Sequence, residues 1–113
     1  MPANSFPADW LRGALDLCVM GVLAEGASYG YAISQRLEAA GLGVVKGGTL
    51  YPLLARLQAA AFVASTWHSG DSGPSRKYLE LTDAGRAELA RRREQWRQFS
   101  ATVDHLARPS ETR

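Results

Sequence analysis

Residues Val44–Leu57 read VVKGGTLYPLLARL, and the stretch sets two signals against each other. Leu50, Leu53, Leu54 and Leu57 stand at i, i+3, i+4 and i+7, the spacing of one helical stripe turned to a core. Pro52 lies inside that stripe, with Gly47 and Gly48 just ahead of it. Proline has no N–H to donate, but the donors of a first helical turn have no intrahelical acceptors anyway. The signals therefore agree if the helix begins near Gly48 or Thr49. At about 100° per residue, the face away from the leucines then holds Thr49, Tyr51, Pro52, Ala55, Arg56 and Ala59. That face is polar at its N-terminal end and small behind, as a surface that must press against something large would be.

Working upstream, Asp9 is positioned to cap a helix from Trp10 to about Ala24, with Leu11, Leu15, Cys18, Val19 and Val22 at helical spacing. Leu17, Met20 and Leu23 extend the apolar surface around it, so this helix is expected between its own domain and another subunit. After the break at Glu25–Ala27, Ser28 is the candidate cap of a second helix carrying Ile33, Leu37 and Ala40, and Gly41 supplies its left-handed stop. Leu42–Val45 reads as a connection or a short strand. Two short helices joined tightly and followed by the leucine-striped third form a helix-turn-helix pattern.

Downstream, FVASTWH (Phe62–His68) and SRKYLEL (Ser75–Leu81) flank the turn-forming cluster SGDSGP, which predicts a β-hairpin with Arg76 and Lys77 on its returning strand. A hairpin directly after a helix-turn-helix is the wing of a winged helix. Thr82 can cap a last long helix, although Gly85 stands where a capping box would place glutamate. Leu89, Trp96, Phe99, Val103 and Leu106 form a heptad seam, interrupted by Arg92, and a one-striped helix projecting from a domain needs a partner. Together with Leu17 these five residues are the expected homodimer face. The expected organisation is a mainly α chain with a β-hairpin wing. A winged helix-turn-helix domain occupies residues 9–82, a dimerisation helix 83–107, and flexible tails 1–8 and 108–113.

Composition agrees with a soluble, cytoplasmic domain: 46% hydrophobic and 21% charged residues, and one cysteine, Cys18, which allows no disulfide framework. No apolar run reaches the roughly 18 residues a membrane span needs, and MPANSFPADW does not read as a signal peptide. Net charge is only +2, but it is unevenly placed. Up to Val45, Arg12 and Arg36 face four acidic residues; from Lys46 onward eleven basic residues face seven acidic ones. The basic half is the half containing the third helix and wing, as a polyanion-binding surface requires.

The motifs LRGALDLCVMGVLAEGASYGYAISQRL, GTLYPLLARLQAAAFV and GPSRKYLELTDAGRAEL, followed by a tryptophan-bearing helix, resemble the PadR family of bacterial winged-helix transcriptional regulators over residues 11 to about 100. The resemblance implies a dimer in which the last helix packs on the first helix of the other subunit, and repression from an inverted repeat in a promoter. It further implies that Tyr29, Tyr31 and Lys46 contact the DNA backbone, with Arg76 or Lys77 reaching backbone or minor groove. The length resembles the small subgroup with a single C-terminal helix. One departure is Lys46, where the family pattern often has serine: a capping side chain is lost and a phosphate-seeking cation gained.

Read for chemistry, the outer face of the third helix offers Thr49, Tyr51, Pro52 and Arg56 to a major groove, and its N-terminus offers free N–H groups to a phosphate. Tyr31 suits a core position equally well, and Arg91–Arg93 read as a solvated face paired with Glu88 and Glu94. His68 and His105 have no nucleophile motif beside them, and neither a metal site, a cofactor nor an enzymatic activity is expected. Trp10 and Trp96 could meet across the dimer, either as plain interface packing or around a small aromatic or apolar effector. Set against a DNA-binding repressor is a winged-helix module that binds a protein through the same face. Steep salt dependence of duplex binding separates the two.

Overall fold

The computed structural model describes residues 6–68 and 75–109; the expected hairpin tip (69–74) and most of the expected tails lie outside the described residues. Helix α1 (Ala8–Ala24) buries Leu15, Val19, Met20 and Leu23. It begins two residues before the expected Trp10, because the Pro7 carbonyl accepts the N–H groups of Trp10 and Leu11 at 3.0 and 3.2 Å. Asp9 makes no side-chain cap; inside the first turn it complements the helix dipole and pairs with Arg12 at 2.6 Å.

Helix α2 (Gly30–Leu37) buries Ile33 and Leu37 and is preceded by Tyr29 in an extended conformation rather than by a Ser28 side-chain cap. Ser28 is occupied otherwise: its N–H reaches the Leu79 carbonyl at 2.9 Å and its carbonyl accepts the Leu79 N–H at 2.7 Å. That bridge ties the start of α2 to the hairpin. The chain leaves α2 through a wide turn, Glu38–Leu42, where Gly41 takes φ 101°, the left-handed stop its sequence position suggested.

Helix α3 (Gly47–Ala59) keeps Leu50, Leu53, Leu54 and Leu57 at 4% exposure or less, as the stripe required. At roughly 1.5–3 kcal/mol for each fully buried side chain, these four anchor the helix. The helix starts at Gly47, one residue ahead of the earliest expected position, so Pro52 is its sixth residue and sits in the second turn. The donor Pro52 lacks would have served the Gly48 carbonyl; Gly48 is exposed, and water can serve it instead. At the far end the N–H of Phe62 bonds Leu57 O and that of Ala61 bonds Gln58 O, both at 3.0 Å, a Schellman ending. Its left-handed position is filled by Ala61 at φ 65° instead of by glycine, a strain of roughly 1–2 kcal/mol.

Strands β1 (Val63–His68) and β2 (Arg76–Leu81) pair antiparallel, Val63 opposite Leu81 and His68 opposite Arg76, and bury Val63, Leu79 and Leu81. This is the expected wing.

Helix α4 (Asp83–Ala107) is capped by Thr82, whose Oγ1 accepts the Gly85 N–H at 3.0 Å. The missing capping-box glutamate has a steric cause. A Cβ at Gly85 would lie 2.0 Å from the Phe62 carbonyl oxygen, which itself accepts the Thr82 N–H at 3.0 Å. Leu89, expected on the dimer seam, is instead 6% exposed within the protomer's own core, because α4 is still packed on the body there. Arg92 completes that packing: its guanidinium lies 5.6 Å over the Phe62 ring, Nη1 approaches Met20 Sδ at 3.6 Å, and Nε donates to Glu88 at 2.7 Å. The heptad break is thus a contact with the protomer's own body. Beyond it α4 stands free, and the radius of gyration, 16.6 Å, exceeds the roughly 13 Å of a compact domain this long. No helix among the described residues is long and apolar enough to cross a membrane.

Candidate nucleic-acid interface

With the leucine stripe buried, the opposite side of α3 is bare: Gly48, Thr49, Tyr51, Pro52, Ala55, Arg56 and Ala59 are all exposed. Helical rotation puts Gly48, Pro52, Ala55 and Ala59 at the centre of that face, so its crest is smooth and can approach a groove floor closely. The larger side chains flank it. Thr49 and Arg56 lie on the α1 side, where Arg56 Nη2 donates to both Asp16 carboxylate oxygens at 3.1 and 3.3 Å. Both side chains of that pair are partly solvated, so it is weak enough for a phosphate to compete with. Any contact from Arg56 to an outside anion would require it to leave Asp16.

Tyr51 lies on the wing side and is 57% exposed. Its phenol rests against the backbone of Gly30, so closely that a Cβ there would sit 2.5 Å from Oη; a Cβ at Gly47 would meet the ring at 3.2 Å. Gln58, on the same flank, donates from Nε2 to Ser65 Oγ at 3.0 Å and fixes the distance between α3 and β1.

Around this helix the other expected residues gather. Tyr29, Gly30, Tyr31, Tyr51, Arg76 and Lys77 all line one open concavity of about 440 Å³ between α2, α3 and the wing. Tyr31, which the sequence suited equally to a core, is 63% exposed and accepts a hydrogen bond from Gln35 Nε2 at 2.8 Å. Tyr29 is half-buried, edge-on to Tyr78 at 5.2 Å, and carries the Arg76 guanidinium 4.6 Å over its ring. That stacking aims Arg76 without neutralising it. Lys46 precedes α3, exposed, and makes no side-chain cap; its carbonyl accepts the N–H groups of Thr49 and Leu50 at 3.0 and 2.9 Å.

Sequence reasoning missed Gly30 and Gln58, because each acts through a contact between elements that no local pattern encodes. It also read Arg56 as free, with no means of seeing Asp16, forty residues away. Among the described residues no cluster of histidine, cysteine, aspartate or glutamate could hold a metal. Cys18 is half-buried, and that burial raises its thiol pKa, so it is less reactive than a free thiol.

Away from this face, Trp96, Phe99, Val103 and Leu106 are 42–77% exposed on the free part of α4, Trp10 is 69% exposed on α1, and Leu17 is partly buried at the core's edge. The Trp96 and Phe99 rings lie 5.9 Å apart, tilted at 49° to each other.

The profile of the "Transcriptional regulator PadR-like family" matches residues 19–91. A crystal structure of a PadR family transcriptional regulator from Eggerthella lenta is similar at a TM-score of 0.81 and 34% identity, over 90% of this chain and 88% of that one. A PadR-like transcriptional regulator from Bacillus cereus gives 0.82 and 32%, over 91% and 100%. A transcriptional regulator from Clostridium thermocellum gives 0.80 and 28%, over 92% and 100%. These relatives are transcriptional regulators, not enzymes, and their likeness spans both the winged helix and α4. With the bare, cation-flanked α3 and the family match resting on the same residues, the chain belongs to the PadR-like family of DNA-binding transcriptional regulators.

Proposed function

We propose that the protein is a homodimeric, cytoplasmic repressor that binds an inverted-repeat operator. The observation that carries this reading is the uncovered outer face of α3, smooth along its crest and ringed by Lys46, Tyr51, Arg76 and Lys77. In this reading α3 enters the major groove, Thr49 and Tyr51 reach base edges or the adjoining phosphates, and Pro52 packs on the groove floor. Tyr29, Tyr31 and Lys46 hold the backbone, Arg56 exchanges Asp16 for a phosphate, and the wing cations reach the neighbouring backbone or minor groove.

Dimerisation completes the site. Trp96, Phe99, Val103 and Leu106 are large apolar side chains that water covers in the protomer, and α1 of a second copy offers them an apolar face beginning at Trp10 and Leu17. A symmetric pair built this way would present two α3 helices to half-sites about one DNA turn, roughly 34 Å, apart. Trp10 and Trp96 would meet at the junction and bind a flat aromatic or apolar effector, which would release DNA by changing the separation of the wings.

Selection of bound duplexes from random DNA, followed by a salt titration of the winning sequence, tests this. A palindromic winner whose affinity falls steeply with salt is the expected result. Recovery of no sequence, or binding indifferent to salt, refutes it.

A further inference from the structure

In the hairpin register, Val63 faces Leu81, Ser65 faces Leu79 and Trp67 faces Lys77. Directly opposed residues share one face of a β-ribbon. Val63, Leu79 and Leu81 of this row are buried, and Ser65 Oγ accepts a hydrogen bond from Gln58 of α3, so this is the face turned toward α3. Trp67 therefore projects from the α3 side of the wing, one pleat repeat or roughly 7 Å beyond Ser65. There the strand has outrun the body: Trp67 is 67% exposed and its partner Lys77 is exposed. Lys77 also lines the concavity shared with Tyr51 and Arg76, so the indole continues the edge of the candidate nucleic-acid interface.

We infer that Trp67 is a further DNA-contact residue, its indole packing on the deoxyribose wall of the minor groove beside the α3 site while Lys77 holds the adjacent phosphate. This rests on the DNA-binding reading above. Charge complementarity selects the occupant. On the indole's own face its neighbours are Ser65 along the strand and Lys77 across the ribbon, polar and cationic, whereas a protein-binding hot spot would continue into apolar surface. A sugar edge bordered by a phosphate matches an apolar ring bordered by a cation.

The test compares the full chain with Trp67→Ala, Trp67→Phe and Lys77→Ala, by fluorescence anisotropy on a duplex that the parent protein recovers from a random library, across a salt series. Trp67→Ala should bind roughly tenfold more weakly at every salt concentration, with an unchanged salt slope, because an uncharged stacking contact is lost and no phosphate ion pair. Trp67→Phe should recover most of that loss, and Lys77→Ala should reduce the slope by about one. Trp67→Ala binding within twofold of the parent overturns the inference. So does a Trp67→Ala loss accompanied by the slope change of Lys77→Ala, which marks a displaced wing. Failure of the parent protein to bind any duplex in a salt-dependent way is a separate outcome, seen before any variant is made, and it removes the DNA reading itself.

Discussion

Gly30→Ala separates DNA binding from stability, and its size follows from one contact. Gly30 opens α2 with helical backbone, so alanine fits the chain, and helix propensity favours it by up to about 1 kcal/mol. The new Cβ, however, would lie 2.5, 2.7 and 2.9 Å from Tyr51 Oη, Cε1 and Cζ, against an ordinary contact of about 3.5 Å. The phenol tip must retreat by about 1 Å, a rotation of roughly 10–15° that stays within one rotamer well. Because Tyr51 is 57% exposed, nothing obstructs that retreat, and the fold should lose less than about 0.5 kcal/mol. A hydrogen bond from the phenol to a phosphate tolerates no such shift. It is worth about 1.5–3 kcal/mol when the acceptor is charged, and losing the lower end of that range weakens binding roughly tenfold. Thermal unfolding at fixed protomer concentration should show an unchanged midpoint, and anisotropy a tenfold higher Kd. In a Tyr51→Ala background Gly30→Ala should change nothing further. Parent-like affinity for Gly30→Ala, or a loss that persists without Tyr51, refutes the argument.

Arg76→Ala should weaken binding to all duplexes alike and lower the salt slope by about one, because a phosphate contact carries no sequence information; an unchanged slope removes Arg76 from the backbone. Gly85→Ala meets the Phe62 backbone carbonyl and not a movable side-chain tip. It should destabilise by about 2 kcal/mol, overpacking outweighing the propensity gain, and a midpoint at or above the parent's in urea contradicts that. Trp96→Asp should give monomer by light scattering under conditions where the parent sizes as a dimer, since the proposed interface would bury the aspartate unpaired; a persistent dimer removes α4 from it. Glu88 accepts hydrogen bonds from Arg91 and Arg92, which hold its pKa down to about 2 from an ordinary 4.5. Its folded-state pKa is depressed, so its stabilisation is complete above 4.5 and is lost as pH falls through about 2. The thermal midpoints of the parent and Glu88→Gln should therefore differ at pH 7 and converge near pH 2. A constant difference across that range contradicts the pairing.

The extent to which the fold was legible varies by residue, and for physical reasons. The four leucines of α3, the Gly41 stop, the Thr82 cap and the paired strands around a turn-rich cluster are local patterns, each set by helical or strand periodicity or by one residue's own dihedral preference. Segment type was readable to within a residue or two. Ser28 failed as a cap because a strand edge competed for its backbone, a choice that local propensity cannot see. Leu89 was assigned to the wrong partner for a similar reason. A heptad seam says that a stripe will be covered but not where the covering body ends, and here it ends one turn past Leu89.

By itself, then, the chain determined which segments become helix or strand and which side of each is apolar, since both follow from spacing along the backbone. It also determined that cationic charge accumulates after Lys46. Tertiary structure alone decided that Tyr51 is seated on Gly30, that Arg56 is tied to Asp16, that Gly85 must be small beneath Phe62, and that Trp67 is left bare beside Lys77. Each of these depends on the distance and angle between elements remote in sequence, and packing fixes those only once the whole core has closed.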